Sequence, residues 1–400
     1  ARLRGKSFVK NIESLRPMQT AAHTKRERAQ KMHEALHQIG SAYLQKENLT
    51  GKGVNIGLID AGFRGADKYV PTQYLFSRGR IKATRDWIAQ NSANFFSQPQ
   101  DLDNHGTTVL SLVGGFDTVQ NKRYGLASGA HYYLCRTDHD VKENRLEMDY
   151  WVAALEWLDS CGVRLVNSSL GYATDFDDPA ENFLPSEMNG NTSVVARASD
   201  IAFIEKGMLI IVSAGNDGDD PKWRLISTPA DAQYNIAVGA TDLKYGLRAG
   251  YSGMGPAFLP YVKPDLACYA VDGTSFSAPI ITGLAACIWE RYPTATNKMI
   301  REALMKSGHI YPFANTYIGY GIPDAKKALN AMECMLDTVC KPAICKVTIA
   351  TGFKHILHKK HGSLQLVSII HKADSRQVIA QEGIALKRKY TLQPPAGTQF

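Results

Sequence analysis

The chain has 400 residues, 44% of them hydrophobic and 21% charged, with 33 Gly and 17 Pro. That length and apolar content can fill one large domain or two, and they exclude overall disorder and collagen-like or low-complexity composition. Lys and Arg outnumber Asp and Glu by 46 − 38, a formal charge of +8. The excess is diffuse apart from Lys25–Arg28 and Lys387–Lys389, and neither run sits among aromatics placed for base stacking, so no nucleic-acid partner is expected.

The chain begins at Ala1 with neither Met nor a signal-peptide pattern, which points to a processed or trimmed product. No apolar stretch approaches the roughly 18 residues of a spanning helix, so no membrane span is expected. Residues 1–28 read as an N-terminal arm, with a strand-like piece at Ser7–Ile12 closed by Pro17. His33, Leu36, Ile39, Ala42 and Tyr43 recur at helical spacing. From Gly51 onward, strands and helices alternate. Val54–Ile59 reads as a buried parallel strand, entered through Gly51-Lys52-Gly53. Those glycines precede the strand, whereas a dinucleotide-binding fingerprint follows one. Met148, Trp151, Val152, Leu155 and Leu158 mark one helix face, which ends before Gly162. A strand at Val163–Val166, a helix at Val194–Lys206 and strands at Met208–Val212 and Ile236–Val238 follow. A helix at Ala278–Glu290 carries Pro279 near its start, where proline is tolerated. The alternation implies an α/β sheet with right-handed crossovers.

The composition changes after about residue 332. Alternating segments at Lys346–Ala350, Leu364–Ile370, Val378–Gln381 and Ile384–Leu392 predict a small β-rich appendage over 333–400, after a main domain over 29–332. Of seven cysteines, Cys135, Cys161, Cys268 and Cys287 lie in apolar surroundings and read as buried thiols. Cys334, Cys340 and Cys345 are close together, which suits a disulfide within the trio if the protein is exported. No Cys-x-x-Cys pair points to a metal site, and none is expected from the dispersed His355, His358, His361 and His371.

Five short segments carry residue types suited to acyl transfer, each at the end of a predicted strand or the start of a helix, where sites collect in open α/β sheets. Ile59-Asp60-Ala61-Gly62 places an acid at a strand end, and Asp103-Asn104-His105-Gly106-Thr107-Thr108 places a His at the head of an apolar helix. Ser168-Ser169-Leu170-Gly171 leaves a strand through small residues that let a second chain approach. Ser213-Ala214-Gly215-Asn216 ends a strand with an amide, and Gly273-Thr274-Ser275-Phe276-Ser277-Ala278-Pro279 opens a helix with a hydroxyl. A Ser hydroxyl attacks a carbonyl only if a base takes its proton, and His is suited because its pKa lies near the working pH. An acid on the other ring nitrogen fixes the tautomer, while Asn216 and the Ser275 backbone N–H could donate to the developing oxyanion.

In these blocks the sequence resembles the subtilisin-like serine proteases, the subtilases. The order Asp60, His105, Asn216, Ser275 separates that family from chymotrypsin-like enzymes and α/β-hydrolases. Ser227-Thr228-Pro229-Ala230, Val238-Gly239-Ala240-Thr241, Tyr251–Pro256, Lys263-Pro264-Asp265 and Gly319–Ala325 are similar to further family blocks, so the resemblance covers about residues 48–332. It implies a three-layer fold with a seven-stranded parallel sheet flanked by helices, and a secreted or cell-surface endopeptidase acting on polypeptides. It further implies that Asp60 orients His105, that His105 is general base and acid, that Ser275 is the nucleophile and that Asn216 is the oxyanion donor. Ser169, Leu170 and Gly171 would pair with extended substrate, and Ala214 and Gly215 would wall the pocket before the scissile bond. No cofactor is required. A structural Ca²⁺ is compatible with the family, but the acidic loop of Asp175, Asp177, Asp178 and Glu181 reads better as a solvated loop.

Three features depart from the family pattern. Ala61 replaces the usual Ser or Thr after the acid, and Thr108 replaces a second His. The segment from Asp265 to Ser275 is short and lacks an Ala-Pro-Gly turn, which leaves either a truncated loop or a stretch of missing residues ahead of the nucleophile. The Ser7–Pro17 piece resembles the tail of a subtilase propeptide lying across the cleft, which would make the chain a zymogen remnant or place a processing site around Thr24–Gln30. The alternative is an arm packed on the sheet.

Overall fold

The computed structural model describes residues 33–89, 95–97, 104–138, 143–174 and 176–336, and the backbone of three strands beyond them. Helices α1 (33–38) and α2 (Ser41–Lys46) lead into β1 (Asn55–Asp60), α3 (Gln73–Ser77) and β2 (Ile81–Asp86). Next come α4 (His105–Gly114), a short β3–β4 pair (Phe116–Asp117, Lys122–Arg123), β5 (His131–Arg136), α5 (Leu146–Ser160) and β6 (Leu165–Ser168). The main body closes with α6 (Val194–Glu205), β7 (Leu209–Ser213), β8 (Ile236–Thr241), β9 (Leu266–Tyr269), α7 (Ala278–Arg291), α8 (Asn297–Lys306) and α9 (Ala325–Leu336). Seven strands form one sheet in the order β2-β5-β1-β6-β7-β8-β9. Every neighbouring pair is parallel.

The sheet is buried on both faces, and the period-two alternation of its strands sorts the core into two halves. Ile56, Leu58, Leu209 and Ile211 pack with α4, α7, α8 and α9 on one side. Ile59, Val166, Ile210 and Val212 pack with Trp151, Leu155 and Leu158 of α5 and with α6 on the other. This is the three-layer α/β architecture expected.

Several elements differ from the sequence reading. The strand expected at Val163–Val166 starts at Leu165, because the Val163 N–H still closes the end of α5 on the Leu158 carbonyl (3.0 Å). Strands β2 and β5 carry half-exposed positions; β2 shows no uninterrupted apolar run and β5 a short one, Tyr132–Cys135, between His131 and Arg136. Helix α9 runs past residue 332 to Leu336, with Met332 buried. Beyond it, β10 (Lys354–Lys360), β11 (Ser363–His371) and β12 (Val378–Ala385) form an antiparallel sheet. Strand β12 is continuous where two segments were expected, and Lys354–Lys360 had not been marked. Lys346–Ala350 and Ser7–Pro17 lie outside the described residues.

The Lys263-Pro264-Asp265 block secures the far edge of the sheet. Lys263 is wholly buried, and its Nζ donates to the Asn235 carbonyl (3.1 Å), to Asn235 Oδ1 (2.8 Å) and to Asp265 Oδ2 (2.7 Å). Asp265 also accepts from the Ala237 N–H (2.9 Å) and from Arg301 (2.7 Å). Burial pulls the Lys263 ammonium pKa down, and the Asp265 charge opposes that.

The approach of α4 to β1 depends on Gly106. A Cβ there would lie 2.5 Å from the Gly62 carbonyl oxygen, 2.9 Å from the Phe63 ring and 3.0 Å from the Asp60 Cβ. Two of those contacts cannot relax by rotating a flexible chain end. Gly106→Ala is therefore expected to lower stability by about 1–3 kcal/mol through forced separation of α4 from β1. A urea unfolding midpoint unchanged from the parent would refute this account of the glycine.

Candidate active site

Asp60 is the last residue of β1 and wholly buried. Its Oδ1 accepts the Ala61 N–H (2.9 Å) and pairs with His105 Nδ1 at 2.6 Å. An ionised carboxylate has no proton to give, so the hydrogen of this contact sits on Nδ1, and in the neutral imidazole Nε2 then holds the lone pair. Asp60 Oδ2 is buried with no hydrogen-bond partner among the described residues. Ala61 has no hydroxyl to offer it. His105 opens α4, its side chain 30% exposed, with its ring 5.7 Å from that of Phe276.

Ser275 lies in a single 3₁₀ turn (Thr274–Phe276) immediately before α7. That turn is tied to the residues leaving β7. The Thr274 N–H donates to Asn216 Oδ1 (2.9 Å), and Thr274 Oγ1 lies 3.0 Å from the same oxygen. A backbone N–H can only donate, so this contact fixes which end of the Asn216 amide is oxygen and leaves Nδ2 as the donor end. Gly215, at φ 97°, carries the chain past Ser227, whose hydroxyl and backbone leave no room for a Cβ there.

The segment leaving β6 completes the constellation. Ser169 Oγ donates to the Ser275 carbonyl (2.9 Å), while Ser275 Oγ donates to the Ser169 carbonyl (3.1 Å). In this arrangement the Ser275 proton rests on Ser169, and acyl transfer requires it to turn to the imidazole. Gly171 lies against Ser227, 2.8 Å from Cβ to Cβ if a methyl were added. The next residue, Tyr172, exchanges backbone hydrogen bonds with Thr228 (2.8 and 3.1 Å). The Leu170–Gly171 and Ala214–Gly215 segments thus meet a common wall at Ser227–Thr228. Asp60, His105, Ser169, Ala214, Gly215, Asn216 and Ser275 are brought together by these contacts, and Leu170 and Gly171 continue the same strand exit.

Asp138 was not foreseen. It stands two residues past the end of β5, buried, accepting from Thr137 Oγ1 (2.6 Å) and from the Tyr172 hydroxyl (3.3 Å). Burial pushes its carboxyl up to about 7, the Thr137 hydrogen bond opposes this, and the Glu143 and Asp60 charges add to it. An acid just beyond a strand's carboxyl end is a readable signal, but only once β5 itself is recognised.

The acidic loop does not assemble a cation site from its described residues. Asp178 Oδ1 caps the Ala180 N–H (2.9 Å) and Glu181 Oε2 accepts the Arg145 N–H (2.9 Å). No group of three His, Cys, Asp or Glu residues is placed to hold a metal among the described residues, and Asp175 lies outside them. Cys135, Cys161, Cys268 and Cys287 are free thiols, Cys161 only half-buried, whereas Cys334 is disulfide-bonded.

A buried acid on an imidazole, a hydroxyl at a helix entrance and an amide donor beside it supply what acyl transfer needs. The Subtilase family model matches residues 51–325. Subtilisin NAT of Bacillus subtilis subsp. natto is 24% identical over 324 residues, covering 76% of this chain and 73% of that protein. Among solved structures, the MycP3 protease from the type VII (ESX-3) secretion system superposes with a TM-score of 0.55 at 18% identity, over 74% of this chain and 87% of that one. MycP1 with its N-terminal propeptide removed gives 0.54 at 21% identity, over 74% and 96%. With more than half its length matched by the family model, the chain belongs to the subtilase family of serine endopeptidases.

Proposed function

We propose that this chain hydrolyses polypeptides through an acyl-enzyme on Ser275 and works as an exported protease under the control of its N-terminal segment. The 2.6 Å contact between His105 Nδ1 and the buried Asp60 carries the reading, because it leaves Nε2 as the base. Ser275 Oγ attacks the scissile carbonyl carbon while its proton passes to His105 Nε2. The oxyanion accepts hydrogen bonds from Asn216 Nδ2 and the Ser275 backbone N–H. The C–N bond then breaks as His105 returns the proton to the leaving amine, and water repeats the sequence to release the acid. Side chains carry each proton, and side-chain and backbone donors hold the developing charge, so the reaction requires no cofactor. Extended substrate lies along Ser169, Leu170 and Gly171 as an added strand, with Ala214 and Gly215 walling the pocket.

Export is supported by the Cys334 disulfide, since such bonds persist in oxidising compartments. Control by residues 1–28 is supported by the fold shared with MycP1, a protein with an N-terminal propeptide.

A fluorophosphonate should label Ser275 alone, and Ser275→Ala should abolish both labelling and cleavage. Retained cleavage in that variant would sink the assignment. Removing residues 1–28 should raise the labelling rate if they cover the cleft. Asn216→Ala should lower kcat by about 10²–10³, a magnitude taken over from subtilisin itself.

Asp138 gives a pH signature. Its folded carboxyl holds a proton up to about pH 7, whereas the unfolded one loses it near the ordinary value of 3.8. The folded state therefore binds more protons in that window, and stability falls as pH rises through it before levelling off. Asp138→Asn should flatten this decline in a melting-temperature series between about pH 4 and 8. An unchanged slope would assign the decline to other groups.

A further inference from the structure

A buried chain of hydrogen bonds reaches Ser275 from behind, running to Ser169 from two residues that the reaction does not use, Thr282 and Asn167. Thr282 lies in the second turn of α7, and its Oγ1 is 2.8 Å from Asn167 Oδ1. Asn167 is wholly buried in β6, and its Nδ2 donates to Ser169 Oγ (3.0 Å). Ser169 Oγ then donates to the Ser275 carbonyl, and Ser275 Oγ returns to the Ser169 carbonyl.

Proton counting gives this chain one direction. Each hydroxyl has a single hydrogen. If Thr282 donates to Asn167 Oδ1, the amide donates to Ser169, and Ser169 keeps its own hydrogen for Ser275. Thr282 has an alternative acceptor in the Ala278 carbonyl, at 3.1 Å. Choosing it would let the amide turn over, so that Ser169 would donate to Asn167. The Ser169 oxygen would then face the Ser275 carbonyl at 2.9 Å with no proton between them. Only the first arrangement supplies a donor at every step.

We infer that Asn167 and Thr282 are positioning residues for the nucleophile, which lock Ser169 against the backbone of Ser275 and so fix where Oγ stands before attack. The inference rests on the proposed role of Ser275. It also explains why a strongly polar amide occupies the middle of a buried strand, where an apolar residue would otherwise be expected. The relay joins the central strand β6 to α7, the helix that Ser275 precedes, so it ties the nucleophile's carrier to the sheet independently of the Thr274–Asn216 contacts.

The test uses the full chain. Thr282→Val keeps the shape and removes the donor, and Thr282→Ser restores it. Ser169→Ala cuts the relay at its last link while leaving the backbone carbonyl in place. Each variant is followed by peptide hydrolysis, by the rate of fluorophosphonate labelling at Ser275 and by thermal melting. Thr282→Val and Ser169→Ala should each lower kcat and the labelling rate about tenfold with KM little changed, a milder loss than the roughly hundredfold of a full 1 Å misplacement. Thr282→Ser should regain most of the rate. The double variant Thr282→Val/Ser169→Ala should be no slower than Ser169→Ala, because both cut one chain. Additive losses, or equal losses in Thr282→Ser and Thr282→Val, would overturn the inference while leaving Ser275 as the labelled nucleophile. Should Thr282→Val fail to fold, Ser169→Ala decides the matter, since unchanged kcat and labelling there overturn it equally. A parent enzyme without label at Ser275 would remove the proposed function itself, and the inference with it.

Discussion

Because all seven strands run the same way, their carboxyl ends emerge along one edge of the sheet, and three adjacent ones form the floor of the site. Asp60 ends β1, Ser169 follows β6, and Asn216 lies three residues past β7. Neighbouring parallel strands sit about 4.8 Å apart, so consecutive strand ends deliver side chains at spacings suited to one small group of reacting atoms. The crossover helices supply the rest. α4 brings His105 down onto β1, and α7 brings Ser275 up against β6 and β7. Side chains from separate segments thus meet without any long loop having to hold them.

The same geometry places charge in a dry setting. Asp60 has no exposed surface, and an ionised carboxylate there is tolerable only with good donors. The Ala61 N–H and the imidazole share one oxygen, which leaves the other without a partner among the described residues. A hydroxyl at position 61 would be the natural remedy, and this chain lacks it. The coupling between the two groups therefore runs through a single oxygen. At the far edge the Lys263–Asp265–Arg301 group shows the opposite solution, with both carboxylate oxygens of Asp265 engaged.

The site was legible in the sequence to the extent that it is built from strand exits. Ile59-Asp60-Ala61-Gly62 and Ser213-Ala214-Gly215-Asn216 follow apolar runs and pass into small residues, a pattern that marks where a buried strand surfaces. What escaped depends on residues far apart in the chain. The Thr282–Asn167 bond joins positions separated by 115 residues, and neither has a local pattern that calls for the other. Asp138 was hidden behind β5, whose apolar run is short, Tyr132–Cys135, and is flanked by His131 and Arg136. Edge strand β2 was harder still to see, since exposed Lys82 and Arg85 interrupt its sequence. Patterns of burial reveal the middle of a sheet more readily than its margins.

The short passage from β9 to Ser275 has a mechanical consequence. Only residues 270–273 separate the last strand from the turn that carries the hydroxyl. β9 is the margin of the seven-stranded sheet, with β8 as its one strand neighbour among the described residues, and the Ala267 N–H donates to the Gly321 carbonyl (3.2 Å) beside it. Fraying of that margin would pull directly on the nucleophile, with no slack to absorb the movement. The free side of β9 is not left bare. Gln38 of α1 accepts the Tyr269 N–H on its Oε1 (2.6 Å) and reaches Thr241 Oγ1 on β8 through its Nε2 (3.3 Å). One amide from the start of the described chain thereby links β9 to its neighbour β8. Helix α1 helps to hold the edge strand from which the chain passes directly to Ser275.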